Sequence, residues 1–307
     1  MSERTTPLSP TLQDRLRQGR FVMTAELVPP LSCAAAELVA KAAPLKGLAD
    51  AVNVTDGAGA RAHMDALAAA RLLLEAGIEP ILQIACRDRN RIALQSELMG
   101  AAALGIRNLL LLTGDDPKQG DQPDTKPVFD IDSKALIETA RRLRDDGELP
   151  TGRAVSGKAD FFIGAADVPV DPPAGWEPKA LLGKVKSGAQ FVQTQFCMDA
   201  GVVRRYVGAL EQAGITRDLA ILIGVNPLRS AKSAAWMKSH LHGTIIPDAF
   251  IERLEKASDP AREGVAICVE LIAELSTIPG VAGVHIMAPG NDAAIAEVIG
   301  AARSKIK

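Results

Sequence analysis

A regular alternation of short apolar runs with alanine-rich stretches is the feature that most constrains how this chain can fold. The strand candidates are Phe21–Leu27, Ala51–Thr55, Pro80–Cys86, Asn108–Thr113, Asp160–Ala165, Gln190–Phe196, Ala220–Gly224 and Val281–Met287. Between them lie helical patterns such as Met64–Glu75, Arg91–Leu104, Ser133–Arg144, Val202–Ala213 and Arg262–Leu275. Strands that are regularly separated by helices form βαβ units and therefore a parallel sheet.

The number of these repeats predicts the way in which the sheet is completed. Eight βα units favour a closed (β/α)₈ TIM barrel of the α/β class over an open doubly wound sheet. An open dinucleotide-binding sheet would carry G-x-G-x-x-G after its first strand, whereas Pro29 and Pro30 stand there. A chain of 307 residues suits a single barrel domain. We predict a catalytic barrel over residues 20–307, preceded by an N-terminal extension or helix over residues 1–19.

Composition limits the classes of partner and the location. The formal net charge of −2 argues against nucleic acid or an anionic membrane as the main partner, since either would favour a basic surplus. No run of ~18 apolar residues predicts a membrane span, and residues 1–20 contain no apolar run that resembles a signal peptide. The four cysteines lack metal-ligand or redox spacing, which predicts reduced packing residues in a cytoplasmic protein. A homo-oligomer is compatible with the sequence.

Polar residues cluster where the predicted strands end, which in a barrel is the face that carries the active site. They are Glu26, Thr55, Asp56, Gln83, Asp88, Thr113, Asp115, Asp167, Gln193, Gln195, Asn226 and His285. Their spacing contains no zinc-ligand pattern, so no metal site is predicted. The longest polar connection, residues 114–132, follows the fourth strand and lies at the same face, where such loops can act as lids.

Glu26 interrupts an apolar strand in "FVMTAELVPP" and shares a strand face with Thr24 and Val28. Partial desolvation there would raise its pKa and make it a proton donor near neutral pH. The alternative is a structural glutamate paired with an arginine.

Two further stretches admit a functional and a structural interpretation. In "TGDDP", Asp115 lies nearer the strand end than Asp116, but the stretch also has the residues of a plain turn. In "FVQTQF", Gln193 and Gln195 share a strand face, where buried amides need partners. Those partners are either a ligand or side chains of neighbouring strands.

Taken together, these stretches resemble the motifs of the methylenetetrahydrofolate reductase family. "AELVPP" resembles the first-strand motif of an acid followed by a double proline, and "TGDDP" resembles Arg-Gly-Asp-x-Pro after the fourth strand. "FVQTQFCMD" is similar to Thr-Gln-Phe-Phe-Phe-Asp, "LQIACRD" to His-Leu-Thr-Cys-x-Asp, and "ILIGVNPL" to Pro-Gly-Ile-Leu-Pro. The matches fall in the same order and cover roughly residues 20–300.

The resemblance implies a (β/α)₈ barrel that reduces 5,10-methylenetetrahydrofolate to 5-methyltetrahydrofolate, or runs the reverse oxidation, using NADH or NADPH and FAD. It implies that Glu26 is the general acid and that Asp115 acts electrostatically on the pterin. We place Gln195, Gln193 and Thr113 at the folate. The candidate cofactor-binding residues are Thr55, Gln83, Asp167, Glu177 and Lys184, the last of which would meet a phosphate.

The sequence departs from the family mainly among the flavin-holding residues. The family's histidine is Gln83 here, and its arginine before Gly-Asp is Thr113. Its Tyr-Pro-x-x-His-Pro segment corresponds to "GAADVP", with Gly164 and Val168 where rings belong. The expected aromatic near the last strand is Met287.

Several alternatives follow from these departures. Either FAD binds in an altered fashion or hydride passes directly from the nicotinamide to folate. A non-catalytic folate-binding barrel that needs a partner protein for electrons is the second hypothesis. A barrel lyase or aldolase is a third, but few lysines stand near strand ends for a Schiff base.

Overall fold

Eight parallel strands close into a barrel in the computed structural model, which describes residues 10–306. The strands are β1 (Val22–Leu27), β2 (Ala51–Val54), β3 (Pro80–Ala85), β4 (Asn108–Leu112), β5 (Phe162–Asp167), β6 (Phe191–Phe196), β7 (Ala220–Val225) and β8 (Val281–Ile286). They pair in chain order, and β8 pairs with β1 to close the sheet. The predicted (β/α)₈ fold is therefore confirmed. Residues 1–9 of the predicted N-terminal extension, and residue 307, lie outside the described residues.

Helices cover the outside of the barrel and continue into the connections. They are α1 (Leu12–Arg17), α2 (Ala35–Ala42), α3 (Ala66–Glu75), α4 (Arg91–Ala103), α5 (Ser133–Asp145), α6 (Lys179–Ser187), α7 (Ala200–Gln212), α8 (Ala231–His240), α9 (Asp248–Lys256), α10 (Pro260–Leu275) and α11 (Ala293–Lys305). The five helical patterns quoted from the sequence correspond to α3, α4, α5, α7 and α10. Helices α8 and α9 are additional elements between β7 and α10. Within residues 10–306, no helix is long and apolar enough to cross a membrane.

An apolar layer fills the amino-terminal end of the barrel. Each of β1 to β7 contributes one inward side chain, and Leu12 of α1 packs against them from below; the layer consists of Leu12, Val22, Ala51, Ile81, Leu110, Phe162, Phe191 and Leu222. A capping box between Thr11 and Asp14 starts α1, and the backbone N–H of Leu12 donates to Glu79 Oε1 at 2.9 Å. This end is sealed by apolar packing, so polar chemistry inside the barrel is confined to the other end.

The strands bury both of their faces. In β4, Leu110 points into the barrel, whereas Leu109 and Leu111 pack in the core between the sheet and the helices. Two-sided burial is typical of parallel strands and explains the continuous leucine run.

Strand β5 begins two residues later than the sequence pattern predicts. Asp160, the predicted first residue, is instead exposed and forms an ion pair with Arg107 at 3.2 Å. The strand continues through Asp167, which carries that carboxyl to the carboxyl-terminal end of the barrel.

Candidate active site

A polar layer lies inside the barrel directly above the apolar one. It consists of Thr24, Asn53, Gln83, Gln193 and His285, all of which are buried. The first four lie two residues further along their strands than members of the apolar layer, and therefore point to the same interior face. Buried polar groups need partners, so this layer is either a bonded network or the floor of a site.

The amide of Gln193 is fully engaged within this layer. Its Nε2 donates to Thr24 Oγ1 and to Asn53 Oδ1, both at 3.0 Å. Its Oε1 accepts from Asn53 Nδ2 at 2.6 Å. Bonding between strands, one of the two interpretations of the glutamine pair, therefore describes Gln193. Gln195 lies two residues nearer the mouth, is partly exposed, and accepts from the Phe196 backbone N–H at 2.9 Å.

Glu26 stands at the boundary between the polar layer and the barrel mouth. Its side chain is 21% exposed, and its Oε2 lies 3.8 Å from Nε2 of His285. The neighbouring side chain is thus a histidine from β8 and not the arginine that the structural interpretation requires. A partly buried carboxyl that faces an open mouth can exchange a proton with a bound molecule.

Asp115 lies on the rim, in the connection that follows β4. Thr113 and Asp115 are both exposed, and the intervening Gly114 has φ of +98°. A Cβ on Gly114 would lie 2.9 Å from the Cβ of Arg87, so a side chain does not fit there.

The two acids of this turn differ in their surroundings. The Asp116 side chain accepts from the Lys118 N–H at 3.0 Å, which makes it a turn residue. The charge of Asp115, by contrast, is among those that raise the pKa of Arg87 on the rim.

Arg87 is a cation of the rim that sequence reasoning missed. It is 4% exposed and donates to Asp88 Oδ1 at 2.8 Å. The hydrogen bond with Asp88 is the main cause that raises the pKa of Arg87, and the charge of Asp115 adds to it. The signal was a charged residue at the variable position of "LQIACRD".

A second arginine ties the ends of β2 and β3 together. Arg89 forms ion pairs with both Asp56 and Glu97, and Asp56 also accepts from the Ala85 N–H at 2.8 Å. Burial raises the pKa of Glu97 to about 7. The carboxylate of Asp56 therefore has a structural role, since its contacts connect the end of β2 with the end of β3.

The loop of residues 114–132 is fastened to the connection after β3. The Val128 N–H donates to the Arg87 carbonyl at 2.7 Å, and Asp130 pairs with Arg91 at 2.7 Å. The far half of the predicted lid therefore rests against the rim in this conformation.

Three of the five residues predicted to bind the cofactor are occupied by protein groups. Tyr206 donates a hydrogen bond to Asp167, and burial raises the pKa of Asp167. Lys184 Nζ donates to the Ala166 carbonyl at 2.6 Å. Glu177 is exposed on a loop, 3.4 Å from Lys179. Each of these three groups therefore already has a partner within the protein.

The other two residues predicted to bind the cofactor, Thr55 and Gln83, differ from these three because their side chains point into the interior of the barrel. Thr55 is 4% exposed, and within residues 10–306 its buried hydroxyl has no hydrogen-bond partner. Gln83 is 7% exposed. A buried hydroxyl without a partner is a group that a bound molecule can satisfy.

Gly164 stands at the position of the first flavin-holding ring, and a side chain of the apolar layer fills the space beside it. A Cβ on Gly164 would overlap the ring of Phe191, which stacks on Phe162 with centroids 4.8 Å apart. Val168 stands at the second ring position and packs closely on Gly243. A Cβ on Gly243 would overlap the side chain of Val168. The residues present do not fit a flavin held in the way that the resemblance implies.

Comparison with known proteins agrees with this architecture. The sequence profile described as methylenetetrahydrofolate reductase matches residues 11–303. A probable methylenetetrahydrofolate reductase (NADPH) of Caenorhabditis elegans is 26% identical over 240 residues, covering 75% of this chain and 33% of that protein. Methylenetetrahydrofolate reductase 1 of Schizosaccharomyces pombe is 26% identical over 210 residues, covering 64% of this chain and 31% of that protein. The chain thus spans about a third of the length of these curated relatives.

A solved structure shares the fold over nearly the whole chain. It is an uncharacterised protein from Clostridium thermocellum that binds two copies of 5-methyl-5,6,7,8-tetrahydrofolic acid. The TM-score is 0.65 at 16% identity, covering 95% of this chain and 98% of that one. At this identity the likeness shows the barrel fold.

Proposed function

The chain belongs to the methylenetetrahydrofolate reductase family, and from that premise we propose that it reduces 5,10-methylenetetrahydrofolate to 5-methyltetrahydrofolate with hydride from NADH or NADPH. The observation that carries the proposal is Glu26, a partly buried carboxyl at the mouth of a barrel that is sealed at its other end. Such a group can deliver a proton to a molecule bound at the mouth.

The role of Glu26 is to create the electrophile. Its proton goes to a nitrogen of the five-membered folate ring, the bond between that nitrogen and the methylene carbon breaks, and a cationic iminium remains. Hydride then adds to the methylene carbon, which becomes the methyl group. A general acid in this position typically contributes ~10²–10⁴ in rate.

Residues on the rim would bind and stabilise this substrate. The carboxylate of Asp115 is exposed beside the mouth, where a fixed negative charge stabilises a developing cation. The partly exposed amide of Gln195 is placed to hydrogen-bond the folate, with Thr113 two strands away on the same rim. Gln193 supports the site from the layer beneath, since its amide is already bonded.

We further propose that the nicotinamide passes hydride directly to folate. This is supported by the filled ring position at Gly164 and by the engaged side chains of Asp167 and Lys184. Direct transfer requires the donor carbon within ~3–3.5 Å of the methylene carbon, which is a matter of positioning. Thr55 and Gln83 remain the candidate contacts for the nicotinamide nucleotide. We place this chemistry in the cytoplasm, in keeping with the unpaired cysteines.

A folate-binding barrel that receives electrons from a partner protein is the second candidate. The same engaged residues favour it, because they leave few groups for a cofactor.

One set of measurements on the purified protein separates these cases. Oxidation of NADH or NADPH that depends on methylenetetrahydrofolate, without the visible absorption band of a flavin, supports direct transfer. A stoichiometric flavin band contradicts it. Folate binding without turnover by either nicotinamide supports the partner-dependent barrel.

A further inference from the structure

A buried chain of side chains runs from Glu26 down into the barrel. We propose that His285 is a positioning residue that holds the carboxyl of Glu26 in the orientation from which it gives up its proton. The inference rests on the proposed function for its catalytic meaning. Its structural content, the hydrogen bonding of His285, stands on contacts of the described residues.

The barrel closure places these groups next to each other. Thr24 of β1 and His285 of β8 are register partners across the closing strand pair. Glu26 lies two residues beyond Thr24 on the same inward face. The imidazole therefore sits beside Glu26 and Thr24 at once.

Both ring nitrogens of His285 have a defined neighbour. Nδ1 lies 3.0 Å from Thr24 Oγ1, and Nε2 lies 3.8 Å from Glu26 Oε2. The side chain of His285 is 3% exposed, so water does not compete freely for either nitrogen. The hydrogen bonds of the polar layer determine which ring nitrogen of His285 carries the proton.

The hydrogen bonds of the Gln193 amide determine this protonation. Its Nε2 lies 3.0 Å from both Thr24 Oγ1 and Asn53 Oδ1 and 3.4 Å from His285 Nδ1, and its two hydrogens go to the two nearer oxygens. Thr24 Oγ1 thus accepts from Gln193 and has its own hydrogen to donate. The hydrogen can go to His285 Nδ1 at 3.0 Å or to the Val284 carbonyl at 3.3 Å. Donation to the nearer group makes Nδ1 an acceptor and leaves the imidazole proton on Nε2, facing Glu26.

A donor at this position has two consequences for Glu26. It fixes one carboxyl oxygen, so that the other is directed to the substrate. It also stabilises the carboxylate that forms when the proton leaves. The separation of 3.8 Å exceeds a hydrogen bond, and contacts of this kind shorten when the substrate complex forms.

Two substitutions of His285 divide its functions. In His285→Gln the amide nitrogen lies near the original Nε2 and can still donate to Glu26. In His285→Asn it lies near Nδ1 and reaches Thr24 but not Glu26. We expect His285→Asn to lower kcat ~10–100-fold, as for other residues that orient a reacting group, with KM for folate changed only a few-fold. We expect His285→Gln to recover most of that loss.

Equal loss of kcat in both variants, with native-like melting curves, would show that His285 acts only by packing and would overturn the proposal. Unchanged kcat in His285→Asn would overturn it as well. Thr24→Val, which is nearly isosteric, gives a second variant if His285 substitutions impair folding. It removes the donor to Nδ1 and should also lower kcat more than it changes KM.

A readout independent of turnover separates this inference from the proposed function. Nitrogen chemical shifts of ¹⁵N-labelled histidine in the full-length protein report which ring nitrogen is protonated. We expect the neutral His285 ring to carry its proton on Nε2 in the wild type, and this preference to weaken in Thr24→Val, where Gln193 Nε2, 3.4 Å from Nδ1, is a remaining donor. A proton on Nδ1 in the wild type contradicts the inference, whether or not the protein reduces folate. If Nε2 carries the proton but the protein has no reductase activity, the hydrogen bonding inferred for His285 is supported and the proposed function is contradicted.

Discussion

The hydroxyl of Tyr206 donates a hydrogen bond to the carboxyl of Asp167, at the end of the fifth barrel strand. Tyr206 is fully buried, and burial raises the pKa of Asp167 while the hydrogen bond opposes that rise. Tyr206→Phe keeps the ring but removes the side-chain donor of the carboxyl, which retains the backbone N–H of Val168. We expect a loss of ~1–3 kcal/mol in the free energy of unfolding, measured by chemical denaturation at neutral pH.

The matched control for this change is Asp171→Asn, which breaks an exposed ion pair with Arg205 at 2.6 Å. Exposed pairs contribute ~0–1 kcal/mol, so the control should unfold nearly like the wild type. Equal destabilisation by the two changes would contradict the structural role given to Tyr206.

A substitution of Gly164 tests whether the space at the first ring position, inside the barrel, is filled. Gly164→Ala forces a methyl group against the Phe191 ring, and overpacking of this kind costs ~1–3 kcal/mol. Gly208→Ala is the control, because Gly208 lies in α7 with nothing within 4 Å of its would-be Cβ. A helical Gly→Ala change there should be neutral or stabilise by up to ~1 kcal/mol. Thermal melting of both variants tests the expected contrast, and a stable Gly164→Ala protein would show that the space is open.

Glu97 should make stability depend on pH. Burial raises its pKa from the ordinary 4.5 to about 7. Between these two values the folded chain binds a proton that the unfolded chain has lost, so the free energy of unfolding falls as pH rises. Relative to Glu97→Gln, the wild type should lose on the order of 1–3 kcal/mol across this window.

Denaturation curves of both proteins at several pH values measure this difference. Glu75→Gln, which removes a carboxyl paired with Arg71 on a helix surface, is the control. A wild-type stability that rises through the same window would mean that the pairing with Arg89 outweighs burial.

The four cysteines should differ sharply in reactivity. Cys33 is exposed, whereas the other three are buried. Burial raises the pKa of Cys86 to about 11 and that of Cys197 to about 12. Because the thiolate is the reactive form, a thiol reagent at neutral pH should modify a single cysteine in the folded protein and four after unfolding. Cys33→Ser should abolish the fast reaction; fast modification of two or more thiols in the native state would contradict the burial described.

Local patterns were sufficient to predict the barrel from the sequence. The leucine run of residues 109–112 and its counterparts mark strands buried on both faces, and their regular separation by helices leaves few topologies. The start of β5 was misplaced because Phe161 extends the apolar run of the strand without joining the sheet. Helices α2, α6, α8, α9 and α11 were not named from the sequence, and α8 and α9 exceed the one helix per strand that a βα repeat predicts.

The candidate site was predictable as a set of positions but not as a set of bonds. Glu26 and His285 stand at strand ends, yet their contact requires β1 to meet β8 across the whole chain. Gln193 was expected at the folate, but its partner Asn53 lies on β2, 140 residues away in sequence. The hydroxyl of Tyr206 and the carbonyl of Ala166 engage two expected cofactor residues, and neither contact leaves a mark in local sequence.

The most direct test of the proposed chemistry is the rate of nicotinamide oxidation that depends on methylenetetrahydrofolate, compared between the wild type and Glu26→Gln. The glutamine keeps the shape of the side chain but has no carboxyl proton to give, so kcat should fall by ~10²–10⁴ while folate binding measured by calorimetry stays within a few-fold. Asp116→Asn, a change at the turn residue of the neighbouring rim, should retain wild-type kcat. A Glu26→Gln protein that turns over at the wild-type rate would contradict the assignment of Glu26 as the proton donor.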